Sequence, residues 1–210
     1  MSQLKNLFWI SIIFFPLTSF AELSEQDISP TKPKLEELLK PKSIHRMIED
    51  KDVTVNSEWV DEKGFQYIAG MLVSASYTFT RRTISDYSVY PKVSSSIKKF
   101  EYVEKTKMIE MIAEAGGYRA HSFIKVEDKY FDEINYEVVK GDMLGFKIIT
   151  RLWKKESKTM LTMSGKLPNA KDMFPVALRL IAVPLSEMLL GVASGNFRSY
   201  IEKEYQSKKR

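Results

Sequence analysis

The stretch MIEMIAEAGGYRAHSFIKVED, from Met108 to Asp128, contains two strand-like runs joined by a pair of glycines. Successive side chains of a strand point to opposite faces of a sheet, so Ile109, Met111 and Ala113 share one face. The glycines at 116 and 117 are a strong signal for a two-residue hairpin turn. The stretch therefore predicts an antiparallel strand pair with one apolar face.

Further strand-like runs lie on both sides of this hairpin. Runs at this spacing, with turn residues and no helix between them, favour an antiparallel sheet, here of about seven strands. In several of these runs apolar residues alternate with polar ones, which predicts one buried face. These runs are Val53–Val60, Phe65–Val73, Lys98–Lys105, Tyr130–Val139, Met143–Lys154 and Thr159–Leu167.

A long helix is predicted to follow the last strand. Apolar residues recur at helical spacing from Leu185 to Ile201, as in a helix with one buried side. Pro184 either kinks the helix or occupies its first turn. Gly191 and Gly195 predict a close approach to the sheet.

Two short helices are predicted between the first two strands and the longer strand run. Ser76 and Asp86 are their candidate N-caps, and we expect the second helix to stop around Tyr90, because a proline follows. The stretch DYSVYP, from Asp86 to Pro91, resembles the D-Y-x-x-Y-P motif of the START-like helix-grip superfamily, also called SRPBCC. The polyketide cyclase/dehydrase and coenzyme Q-binding branches are the most similar, and the order of elements matches from Val53 to Tyr205.

The resemblance implies an α+β helix-grip fold, in which a curved antiparallel sheet wraps around one long C-terminal helix. It also implies a cavity between sheet and helix for a lipid, quinone, sterol or polyketide-like ligand, with no shared catalytic motif. The Met-rich apolar set of the chain is compatible with an adaptable pocket or with a plain core. We predict the cavity to be lined by Ile109, Met111, Ile134, Tyr136, Phe146, Ile148, Thr150, Leu161, Met163, Met188, Leu189 and Val192.

The N-terminus has the features of a signal peptide. Lys5 precedes an apolar stretch, Leu7–Phe20, of 14 residues, shorter than the about 20 that span a bilayer. Ser19-Phe20-Ala21 fits the small-x-small cleavage pattern. We therefore expect cleavage after Ala21 and a periplasmic or secreted protein.

The chain divides into a signal peptide (1–21), a polar arm (22–52), the helix-grip domain (53–206) and a basic tail (207–210). Ile112, Ile149 and Trp153 are apolar on the predicted outer face of the sheet, and one hypothesis is that the arm covers them. The net charge of +5 is scattered, which argues against nucleic-acid binding. The absence of cysteine excludes thiol chemistry and disulfides.

No catalytic residue, metal site or cofactor is predicted. His45 and His121 have no carboxylate or second histidine at metal-binding spacing. Glutamates of the strands fall on the outer face, where carboxylates usually face solvent. A shift of one residue in strand register would turn them inward and make them candidates for acid–base chemistry.

We expect a monomeric, non-catalytic carrier or sensor of a small hydrophobic ligand. One alternative is a cyclase, dehydratase or hydrolase that uses Tyr136, Thr150 or Thr162 inside the cavity. Another is a protein-interaction module that binds through Trp59, Trp153 or the apolar segment Met173–Val183. That segment is also a candidate for transient membrane contact, against the simpler interpretation of a buried connection to the last helix.

Overall fold

The computed structural model describes residues 53–115, 118–173, 179 and 182–209. They contain one antiparallel sheet with the strand order β1-β2-β8-β7-β6-β5-β4-β3. The predicted sheet is confirmed, with eight strands instead of about seven. The strands are β1 (Val53–Val60), β2 (Gly64–Val73), β3 (Ile97–Val103), β4 (Met108–Ala115), β5 (Tyr118–Tyr130), β6 (Glu133–Gly141), β7 (Lys147–Lys155) and β8 (Lys158–Leu167).

Short helices follow β2 and one long helix ends the domain. They are α1 (Tyr77–Ser85), a 3₁₀ turn (Tyr87–Val89), α2 (Tyr90–Val93), α3 (Ala170–Met173) and α4 (Ala182–Ser207). Pro184 lies in the first turn of α4, where a missing N–H is tolerated. None of the described helices is both long and apolar enough to cross a membrane.

Several predicted features lie outside the described residues. They are the signal peptide at 1–21, the arm at 22–52, the glycine turn at 116–117 and most of the apolar segment Met173–Val183.

The two predicted helix caps are present. Ser76 Oγ accepts a hydrogen bond of 3.4 Å from the Phe79 N–H, and an Asp86 carboxylate oxygen accepts one of 3.1 Å from the Ser88 N–H. The 3₁₀ turn that Asp86 caps ends at Val89, next to the predicted stop around Tyr90. The sequence did not predict α2, which follows directly and has Pro91 in its first turn. Proline fits there for the same reason that it fits in the first turn of α4.

The inner face of the sheet carries the core. It packs against α1 and α4, which contribute Ile84 and Leu190 to the same apolar cluster. At the edge strand β1, the Ser57 and Ser186 hydroxyls are 2.9 Å apart and share a hydrogen bond. The buried side of α4 combines four small residues with three large apolar ones: Ala182, Ser186, Ala193 and Ser194, and Leu190, Phe197 and Ile201.

The glycines of α4 do not serve close packing, contrary to the prediction. A Cβ at Gly195 would meet nothing within 4 Å, and one at Gly191 would meet only Val55 Cγ2, at 4.0 Å. A glycine inside a helix costs about 1 kcal/mol relative to alanine. The middle of α4 is therefore intrinsically weak for its length.

The Gly195→Ala substitution should raise the free energy of unfolding by about 1 kcal/mol, because it restores helix propensity without a clash. Urea denaturation of both chains tests this. The prediction is contradicted if the variant is less stable than the parent.

Candidate functional site

The sheet side of the predicted cavity lining lies on the inner face as expected. Seven of the predicted residues there are buried, namely Ile109, Met111, Ile134, Tyr136, Phe146, Thr150 and Leu161. Ile148 and Met163 are half-buried and pack against the same cluster. Most of this set forms solid core, and a role in ligand binding stays a prediction.

The helix side of the predicted lining is wrong in register. Met188 and Val192 are 38% and 48% exposed, and Leu189 is half-buried. The residues that face the sheet are Leu190, Ala193, Ser194 and Phe197, each less than 9% exposed. The buried side of α4 is offset from Met188, Leu189 and Val192, and it combines small residues with Leu190 and Phe197.

A small pocket lies between α4 and the sheet, with a volume of about 20 Å³. That is room for roughly one water molecule, whereas pockets for drug-sized ligands start at about 300 Å³. Of the predicted lining residues, only Met163 lines it. Its full lining is Ala69, Met71, Tyr90, Met163, Leu190, Ala193, Ser194 and Phe197.

Two phenol hydroxyls are buried in the core beside this pocket. That of Tyr67 has no hydrogen-bond partner among the described residues, whereas that of Tyr136 interacts with the Tyr90 hydroxyl. Tyr136 lies beside Tyr90, whose own hydroxyl donates to the Ile84 carbonyl over 3.1 Å. Burial raises the pKa of Tyr136 well above 10 and that of Tyr90 to about 12. Both phenols are therefore neutral at physiological pH. An unpartnered buried hydroxyl costs about 1–3 kcal/mol. A ligand with a polar atom could supply the missing hydrogen bond.

Tyr67 owes its position to a glycine on the neighbouring strand. Tyr67 in β2 is paired with Gly165 in β8, and a Cβ at Gly165 would lie 2.6 Å from Tyr67 Cζ and 2.9 Å from its hydroxyl oxygen. The ring thus lies flat across β8 and reaches Phe146, with 6.2 Å between the ring centroids. Only the missing side chain makes this crossing feasible.

A larger open groove of about 710 Å³ lies between α1, the β5–β6 turn and the end of α4. At its wall Arg81 is 7% exposed; its Nη2 is 2.5 and 2.6 Å from the two Asp128 carboxylate oxygens. Arg81 Nε donates to the Phe131 carbonyl over 2.8 Å, and Nη1 donates to the Ser85 hydroxyl. Its positive charge lowers the pKa of Tyr90 and Tyr136, against the larger effect of burial. Arg81 therefore lines the groove and acts electrostatically on the buried tyrosines.

One of the three polar groups of the enzyme alternative lies on the outer face of the sheet. Thr162 pairs with Arg151 on the outer face of the sheet, so it cannot join Tyr136 and Thr150 in the cavity. This contradicts the part of the enzyme alternative that placed Thr162 inside. No group of three or more potential metal ligands occurs within the described ranges.

His121 has a carboxylate partner that its sequence spacing did not reveal. His121 Nε2 is 2.9 Å from Glu110 Oε1, and Lys99 Nζ is 2.5 Å from Glu110 Oε2. The hydrogen bond from Lys99, followed by that from His121, lowers the pKa of Glu110. Strand pairing brings these three residues together on the partly exposed outer face, where surface ion pairs are common.

Comparison with known proteins identifies the architecture. No protein-family profile matches the sequence, and no curated protein matches it. A START superfamily protein from Mycobacterium smegmatis superposes with a TM-score of 0.50 at 15% identity, over 73% of this chain and 98% of that one.

Two polyketide aromatase/cyclases are also similar. Zhui from Streptomyces sp. R1128 has a TM-score of 0.52 at 13% identity, over 70% of this chain and 96% of that one. The di-domain protein BexL of the BE-7585A biosynthetic pathway has a TM-score of 0.55 at 12% identity, over 69% of this chain and 51% of that one. The chain has the START-like helix-grip fold. The resemblance found in the sequence is confirmed at the level of the fold.

The Tyr67→Phe substitution should raise the free energy of unfolding of the ligand-free chain by about 1 kcal/mol, because it removes a buried hydroxyl without a hydrogen-bond partner among the described residues. Tyr90→Phe is the matched control: it deletes a hydroxyl that is hydrogen-bonded to Ile84 and should cost about 1 kcal/mol. Urea denaturation distinguishes the two. Effects of the same sign would contradict the prediction.

The helix-grip interior should also unfold in alkali. The pKa values of Tyr67, Tyr90 and Tyr136 are raised in the folded state by burial, so their stabilising effect is complete below about pH 10, the ordinary phenol pKa. It is lost as the pH rises above that value. Ultraviolet titration of tyrosinate with circular dichroism should show these phenols ionising together with unfolding. Tyr130→Phe, at a 65% exposed position, should leave that unfolding step in place; ionisation of every phenol in a folded chain would contradict the prediction.

Proposed function

We propose that this chain binds a small hydrophobic ligand with a hydrogen-bonding group, between the inner face of the sheet and α4, and acts as a non-catalytic carrier or sensor. The observation that carries the proposal is the Tyr67 hydroxyl, which is buried in an apolar interior without a hydrogen-bond partner among the described residues. A bound molecule with one polar atom would satisfy this hydroxyl. A lipid, quinone, sterol or polyketide-like compound has the required chemistry.

Ligand binding requires the pocket to enlarge. Its present volume of about 20 Å³ is far below the about 300 Å³ of a typical ligand site. Displacement of α4 should enlarge the pocket at a low cost in free energy. The sheet-facing side of the helix includes small residues, and two glycines without close contacts weaken it. The methionines Met71 and Met163 add adaptable walls.

Native mass spectrometry of the chain after mild extraction tests the proposal directly. We expect a bound apolar molecule that organic solvent removes. A chain that is reproducibly empty when prepared from its own cells would contradict the proposal.

A variant pair tests the location. Ala193 is 3% exposed and lines the pocket, whereas its neighbour Val192 is 48% exposed. We expect Ala193→Leu to weaken binding of the extracted ligand, or of the probe N-phenyl-1-naphthylamine, by about tenfold, equal to about 1.4 kcal/mol. Val192→Leu should bind like the parent; equal binding by both variants would exclude this pocket.

We further propose that the protein acts outside the cytoplasm, in the periplasm or as a secreted protein. The support is the sequence pattern of Lys5, Leu7–Phe20 and Ala21, which resembles a signal peptide. Intact-mass measurement of the protein from fractionated cells should give a chain that begins at Glu22. An uncleaved chain in the cytoplasmic fraction would contradict this.

A further inference from the structure

The outer face of the sheet carries buried apolar residues where strands β2 and β8 meet. Ile68, Leu72 and Met160 are 4%, 9% and 1% exposed. Leu72 pairs with Met160, and Met160 pairs with Trp153 of β7. Their chain neighbours point inward, so these side chains point to the opposite face.

This burial does not come from the two helices on the inner face. The apolar cluster that includes residues of α1 and α4 contains neither Ile68, Leu72 nor Met160. Edge strand β1 is also buried on both faces. On its inner face Ser57 contacts Ser186 of α4, and on its outer face Thr54 is only 6% exposed. A second cover therefore lies over the outer face of β1, β2 and β8.

The position where the described chain begins indicates what that cover is. Val53 is the first residue of β1 and pairs with Met71, next to the Leu72–Met160 pair. Upstream, Ile44, Met47 and Ile48 occur at the i, i+3, i+4 spacing of one helix face. The five Cα–Cα steps from Ile48 to Val53 span at most about 18 Å, and strands lie about 4.8 Å apart. Ile48 can thus reach β8 but not the far side of the sheet.

We propose that the segment Ser43–Glu49 docks on the outer face, with Ile44, Met47 and Ile48 against Ile68, Leu72 and Met160. The arm then closes a second apolar layer on the side of the sheet opposite α4. This inference is independent of the ligand proposal. The proposed docking surface for the arm therefore lies at β2 and β8, and not at Ile112, which the sequence suggested.

Disulfide trapping tests the proposal in the full chain, which has no cysteine of its own. Ile48→Cys with Leu72→Cys should form an intramolecular disulfide under mild oxidation, visible as a shift on a non-reducing gel. The control pair, Ile48→Cys with Ile112→Cys, should stay reduced, because β4 lies five strands from β2 in the sheet order, about 24 Å. A disulfide between two chains would assign the surface to a second copy, and no disulfide would leave the arm undocked; either result overturns the proposal.

Solvent access to Trp153 provides a second measurement that needs no disulfide. Replacing Ile44, Met47 and Ile48 by serine, in a chain where Trp9 and Trp59 are Phe, should at least double the acrylamide quenching of Trp153. The control replaces His45, Arg46 and Glu49 by serine, which alters the other side of the same segment and should leave quenching unchanged. Equal quenching in the two variants would overturn the proposal.

Discussion

Gly165→Ala is expected to lower the free energy of unfolding by about 3 kcal/mol, at the upper end of the usual cost of overpacking a core. A Cβ at this position would overlap the Tyr67 ring, coming within 2.6 Å of Cζ. The ring cannot easily move away, because Tyr67 is 2% exposed. The strain therefore falls on β2 and β8, the second and third strands from the β1 edge of the sheet.

A double-mutant cycle isolates this contact. In a Tyr67→Ala background the added methyl group has space, and we expect Gly165→Ala to cost less than about 1 kcal/mol. Urea denaturation of the four chains gives the coupling energy. Gly195→Ala is the control: its added Cβ has no atom within 4 Å, so we expect it to raise the free energy of unfolding. A cost that stays the same without the Tyr67 ring would show that the clash is not its origin.

This contact illustrates what the sequence could not predict. Strands and helix caps depend on neighbours within a few residues, and for this reason β1 and the caps at Ser76 and Asp86 agree with the sequence prediction. Tyr67 and Gly165 lie on strands that are distant in sequence, and only their register in the sheet brings them together. A glycine in a strand indicates a close approach, but it does not identify the residue that approaches.

The lining of the candidate site was predictable on one side only. Alternation along β4 and β6 assigns Ile109 and Ile134 to the inner face, and both are fully buried. On α4 hydrophobicity alone is a poor guide, because Met188 and Val192 are exposed while Ser186 and Ser194 are buried. The volume of the pocket is harder still to predict. The gap of about 20 Å³ is the space that remains after all side chains have packed, and composition does not determine it.

The outer face shows a related limit. Period-two alternation separates the two faces of β2, but it cannot say whether a face is covered. Leu72 and Met160 would be unremarkable as exposed residues, since a large part of any protein surface is apolar. Their burial identifies this face as a second packing surface, beside the one that holds the candidate ligand pocket.

Arg81→Ala should lower the free energy of unfolding by about 3 kcal/mol, as expected when one partner of a largely buried ion pair is removed. The loss includes the hydrogen bonds to Asp128, Ser85 and the Phe131 carbonyl. The exposed half of the Asp128 carboxylate regains water, so the cost stays at the lower end of the range for buried pairs.

The adjacent Arg82 is exposed, and Arg82→Ala should change the stability by less than about 0.5 kcal/mol. Thermal and urea unfolding compare the two variants, and equal effects would contradict the prediction. Arg81→Lys adds a test of geometry: a lysine retains the charge but lacks the planar fork that reaches all three partners. Rescue by lysine to the stability of the parent would mean that charge alone holds the β5–β6 turn against α1. Partial rescue would show that the geometry of the guanidinium fixes this wall of the groove.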